Sequence, residues 1–171
     1  LAILTTDIHY RFSGTSGTGT ANGSLGGLKA TNQLTTDTSQ NIFDNVTGTE
    51  SQSGDIEYRC FYVHNAHATL TLVTAQIWFV SNTTSGDDTV DMAIDNTVAI
   101  NGTEQTIANE STAPSSPALS FSNPTSGSPL TIGNIGPGQH KGIWLRRTVN
   151  AGAAAFTNNQ FSWIVEGETA G

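Results

Sequence analysis

Cys60, His64 and His67 stand close together and are the first residues whose types could do chemistry. A zinc site would need one or two further ligands. A cysteine nucleophile would need a base within hydrogen-bond reach and an oxyanion site. On an extended strand Cys60 and His64 lie about 13 Å apart at ~3.3 Å per residue. The spacing therefore favours turn histidines beside a core cysteine, and Cys60 sits in the apolar run Cys60-Phe61-Tyr62-Val63. Such a thiol packs as a small hydrophobe. It is the only cysteine, which excludes an intramolecular disulfide and a multi-cysteine metal centre.

Asp87, Asp88, Asp91 and Asp95 form the densest acidic cluster. A hard cation such as Ca²⁺ wants several loop oxygens, but the glycine and glutamate of an EF-hand loop are missing here. Asp91 and Asp95 alternate with apolar residues, as solvent-facing strand positions do. The cluster is expected to be a solvated strand face, and the spacing leaves open whether Asp87, Asp88 and Asp91 take a cation. The other acids show no recognisable glycosidase pattern. The glycine-rich residues 14–27 lack a Gly-Lys-Ser/Thr ending and do not lead into a helix, so they are no phosphate loop. Arg146 and Arg147 are adjacent on a strand and must point to opposite faces. One of them needs a carboxylate or an interface, and Glu57, Glu166 and Glu168 are the candidates. Trp78, Trp144 and Trp163 are expected in the core or at the sheet interface, and Trp144 beside Arg146 would make a contact surface if exposed, since both types are enriched at binding hot spots. No catalytic residue, cofactor or metal ligand is expected.

The elements that would position these residues are strands. Ile8, Tyr10 and Phe12 alternate with His9 and Arg11 and read as one short strand. Residues 13–27 are nearly all Gly, Ser, Thr, Ala and Asn. They bury too little apolar surface to offset chain entropy, so they are flexible or held by a partner. Residues 1–50 are thus expected to be an extended arm, with Ile8, Tyr10 and Phe12 as its contact residues. The compact domain is residues 51–171, with its first strand beginning near Gly54. In residues 55–63, Ile56, Tyr58, Cys60 and Tyr62 take one face and Glu57, Arg59, Phe61 and Val63 the other. Residues 69–80 read as a strand with Leu70, Leu72, Trp78 and Val80 on one face and Val73, Ala75, Ile77 and Phe79 on the other, apolar on both faces towards its end, as in the middle of a sheet. Further strands are expected at 90–94, 118–121, 130–132, 141–149 and 160–166. In 141–149, Ile143, Leu145 and Val149 point inward and Trp144, Arg146 and Thr148 outward. A hairpin of 98–100 with 105–108 is expected around Asn101-Gly102, and a tight turn at Gly136-Pro137-Gly138. No window shows sustained helical periodicity.

The chain of 171 residues carries a formal net charge of −8 and only six Lys and Arg. An acidic surface repels phosphate backbones, so nucleic acid is not an expected partner. There is no polybasic patch for an anionic membrane and no apolar stretch long enough to span a bilayer. Short strands at turn-marked intervals point to an all-β sandwich or barrel.

Two segments carry a resemblance. Residues 55–65 followed by Ala68-Thr69-Leu70-Thr71-Leu72 resemble the early strand, turn and second strand of immunoglobulin-like adhesion and accessory modules. Ile135-Gly136-Pro137-Gly138-Gln139, residues 143–149, Ala151-Gly152-Ala153 and the strand 161–165 resemble the ending of the same modules. The pattern over residues 41–168 is similar to that of virion structural proteins of tailed bacteriophages, which carry a Gly/Ser/Thr-rich region before an immunoglobulin-like domain. That resemblance implies an antiparallel immunoglobulin-like β-sandwich with an N-terminal arm. It also implies a capsid decoration protein at the virion surface, with the major capsid protein and further copies of itself as partners. A tail or fibre component and a carbohydrate or cell-surface binding module are the alternatives.

Overall fold

A computed structural model describes residues 2–35 and 38–170. After a short 3-10 turn at Thr5–Asp7, the chain forms β1 (Ile8–Ser13), β2 (Gly26–Gly27), β3 (Lys29–Gln33), α1 (Gly48–Ser53), β4 (Asp55–Asn65) and β5 (Thr71–Ser81). It continues through β6 (Asp88–Ala93), β7 (Glu104–Thr106), β8 (Leu130–Ile135), β9 (His140–Val149) and β10 (Ser162–Ala170). The fold is an all-β sandwich of antiparallel sheets. One sheet has the order β3-β1-β4-β9-β6, a second β10-β5-β8, and β2 pairs with β7.

Alternation along β4 and β9 decides the layers. Phe61 and Val63 of β4 join Ile143 and Leu145 of β9, Val90 and Met92 of β6 and Ile77 and Phe79 of β5 in the core between the two large sheets. Tyr58 and Cys60 point the other way, with Trp144 and Ala93, into a second apolar cluster completed by Ile107, Leu25, Leu119 and Phe121. The five-stranded sheet is therefore covered on both faces. Its outer cover is made of the chain around β2 and β7.

That cover comes from residues expected to be an arm. β1 pairs with β4 from Ile8↔Asn65 to Phe12↔Phe61, and β3 pairs with β1. The Cys60 amide donates to the Ser24 carbonyl at 2.8 Å, the Ile107 amide to the Leu25 carbonyl at 3.0 Å, and Ser13 Oγ to the Cys60 carbonyl at 2.8 Å. The partner holding this polar stretch is its own chain. Small residues let its backbone come close enough to exchange main-chain bonds, which replaces the apolar anchoring it lacks. The sheet thus starts well before Gly54. Ile8, Tyr10 and Phe12 pack against the inner core. Tyr10 stands edge-on to Trp163, with ring centroids 5.5 Å apart.

Three local expectations are corrected. Asn101 does adopt φ +65° in a turn, but residues 98–100 form no strand, and β7 pairs with Gly26 and Gly27 instead. In residues 118–121 only Ala118 pairs, in an isolated bridge to Ser115. In β5 the register shifts between Leu72 and Ala75. An extra residue in a ladder reverses the facing of all that follow, so Leu72 shares the inner core with Ala75, Ile77 and Phe79.

Candidate functional site

Most of the chemical candidates are tied into the fold by burial or by hydrogen bonds. Cys60 is fully buried, and burial pushes its thiol well above its ordinary value, so it stays protonated. His67 Nδ1 accepts from the amides of Thr69 and Leu70 at 3.1 and 3.0 Å, which closes the turn after β4. The acidic cluster is dispersed. Both Asp88 oxygens accept from Asn159 Nδ2 at 2.8 Å, Asp91 pairs with Arg146 at 2.6 Å, and Asp87 accepts from the Ala154 amide at 2.9 Å. Asp95 is buried rather than solvent-facing, because it accepts from the amide and hydroxyl of Thr97 and from Gln105 Nε2.

Trp144, expected to point outward, does so relative to the inner core but is fully buried under the cover layer. Its Nε1 donates to Glu104 Oε2 at 3.0 Å. Two glycines make room for this bond. A Cβ on Gly26 would stand 1.8 Å from the Gln105 carbonyl oxygen and 2.9 Å from Trp144 Cζ2, and Gly26 has φ +84°. A Cβ on Gly142 would meet Glu104 Cγ at 2.2 Å. Burial raises the Glu104 carboxyl, and the Trp144 bond and Lys141 oppose that. Arg146 lies over Phe121 with its guanidinium carbon 5.1 Å from the ring centroid. Trp144 and Arg146 thus hold the cover to the sheet.

The inward arginine finds Glu57, one of its three candidates. Arg147 donates to Glu57 Oε2 and to the Asp44 carbonyl, while Arg59 pairs with Glu110. The carboxylates of Asp44, Glu57 and Glu110 converge, with one oxygen of each within 4.8 Å of the others. Two guanidiniums already occupy this cluster, and both stack on Phe43, at 4.9 Å for Arg147 and 5.7 Å for Arg59. The arrangement is a charge network that pins residues 43–44 and Glu110 to β4. Glu57 Oε1 is buried without a hydrogen-bond partner among the described residues. Burial foremost, and the Asp44 charge with it, raises the Glu57 carboxyl from 4.5 to about 7 against the pull of Arg147 and Arg59.

Two features were not singled out from the sequence. β10 is a nine-residue strand that, among the described residues, pairs with β5 on one side only. On the outer face of that sheet Ile164 lies opposite Trp78, and Val80 and Ile164 are 65% and 42% exposed. The second feature is a row of histidines. His9 is opposite His64 on β1 and β4, and His64 is opposite His140 on β4 and β9. Period-2 reading shows which residues share a face, but strand pairing is needed to see that three histidines share a row.

Comparison with protein-family models, with curated proteins and with solved structures finds no match to this chain.

Proposed function

We propose that the chain is a non-enzymatic structural protein of a virion, an immunoglobulin-like module that decorates a phage capsid. It docks through the edge and outer face of the β10-β5-β8 sheet. The observation that carries this reading is the free edge of β10 beside the exposed Val80 and Ile164. An unpaired strand edge is a template for pairing with another chain, and an apolar patch next to it supplies the burial that holds a docked partner. The bonding of Cys60, Asp88, Asp91 and Asp95 within the fold also favours a structural role over a catalytic one.

The N-terminal segment no longer supports this role, because residues 8–33 bond to their own sheet. Weight therefore moves from the arm to the sheet edge. The carbohydrate reading loses its platform, since Trp144 is buried. The major capsid protein and further copies of this chain are the partners proposed. A tail or fibre component would use the same surface, and the position of the chain in the particle separates the two.

The test is binding of the purified chain to particles that lack it. Wild type should bind, and a Val80→Asp, Ile164→Asp double variant that keeps its fold should not. Equal binding by the variant would remove the sheet face from the account. No binding by wild type would remove the decoration role.

A further inference from the structure

The basic side chains of this acidic protein are not spread evenly. Of its six Lys and Arg, Arg59, Arg146 and Arg147 pair with carboxylates, and Lys141 donates to the carbonyls of Asp95 and Val98. Arg11 and Lys29 remain, without a carboxylate partner among the described residues. Both sit beside the histidine row. Arg11 Nη2 meets His9 Nδ1 at 2.9 Å, and the His9 and His64 ring centroids are 5.8 Å apart. Lys29 and Arg11 both act on His64 as positive charges. Lys29 acts on His140 as well.

Such a group is poorly satisfied as it stands. Arg11 Nε, His64 Nδ1 and His140 Nδ1 are buried without hydrogen-bond partners among the described residues. Unpaired buried polar atoms are rare in folded proteins and call for an explanation. The guanidinium is nevertheless fixed in place, because Nη1 donates to the Thr31 carbonyl while Nη2 holds His9. Two cations without a carboxylate partner, held beside partly exposed imidazoles on a rigid sheet, form an arrangement that an anion completes.

We propose that His9, Arg11, Lys29, His64 and His140 form a binding site for an oxyanion of the carboxylate or sulfate class. Arg11 and Lys29 supply the charge, and the half-buried imidazoles of His64 and His140 lie beside it. The site lies on β1, β3, β4 and β9, away from the β10 edge, and does not rest on the docking role. Linkage gives it a signature. In the free protein burial foremost, and then Lys29, lowers His64 and His140 to about 4. A bound anion favours the imidazolium and must raise both.

The experiment is a titration of the full chain with sodium sulfate, and separately with sodium acetate, at constant ionic strength. The ring protons of all four histidines are followed by NMR. His67 serves as the internal control, since its ring is committed to its own turn. Binding in the millimolar range is expected for a site of half-buried side chains. His64 and His140 should move saturably and titrate at higher pH, while His67 stays still. Lys29→Gln should weaken binding about five-fold, the loss of roughly one screened charge contact, and Arg11→Lys should weaken it without unfolding the sheet. Saturation with either anion supports the site, and the stronger of the two names its class. No saturable change with either anion, equal movement of His67, or unchanged binding in Lys29→Gln would overturn it.

Discussion

Replacing Glu57 by Gln should change how stability depends on pH, and the structure fixes the sign. Glu57 is almost fully buried, one oxygen is bonded to Arg147 and the other has no hydrogen-bond partner among the described residues. Its carboxyl is raised from 4.5 to about 7. The folded protein therefore keeps a proton that the unfolded chain releases. The stability this gives is complete below about pH 4.5 and is lost as pH rises through about 7. At about 1.4 kcal/mol per pH unit the full loss is on the order of 3 kcal/mol. His64 and His140 act oppositely. They are lowered from 6.5 to about 4, so their contribution falls as pH drops through that interval. Those terms are common to wild type and variant and cancel in the difference between them. Urea denaturation of both proteins from about pH 5 to about pH 8 is the assay. The wild type should lose about 2–3 kcal/mol relative to Glu57→Gln over that range. Parallel curves would show that Glu57 is already ionised at about pH 5 and would refute the reasoning.

Other expectations follow from the same geometry. Trp144→Phe keeps most of the buried ring but leaves Glu104 Oε2 unpaired, which should cost about 1–3 kcal/mol in denaturant unfolding. Gly26→Ala places a methyl against the Gln105 carbonyl at a φ that side chains rarely adopt, and a loss of about 1–3 kcal/mol is expected in the same assay. At neutral pH, Arg147→Ala should cost about 3–5 kcal/mol, because it leaves Glu57 buried and uncompensated. Arg146→Ala, at a partly exposed pair, should cost about 1 kcal/mol or less in ion-pair energy.

The strands were legible where a single period governed both faces. In β4 and β9 the alternation of Phe61, Val63, Ile143 and Leu145 against Cys60 and Trp144 separates the two clusters found in the structure. The outer cover was not legible, because it is held by main-chain bonds such as Cys60 to Ser24 and by close approach at Gly26. Neither leaves an apolar pattern. The outward position of Trp144 was legible but its cover was not, since an outward strand position is solvated only if nothing lies over it. Helix α1 is too short to show periodicity, but its capping box, Thr47 with Glu50, is a readable signal. The histidine row depends on register between three strands and emerges only once β1, β4 and β9 are paired.

Hydrogen–deuterium exchange on the chain free and bound to its particle tests the central proposal most directly. Among the described residues β10 pairs on one side only, so amides on its open edge should exchange readily in the free protein. On the particle, the peptide covering 162–170 and the neighbouring part of β5 should become strongly protected, with little change in β6. Unchanged exchange in β10 on binding, or absence of the chain from purified particles, would contradict the account.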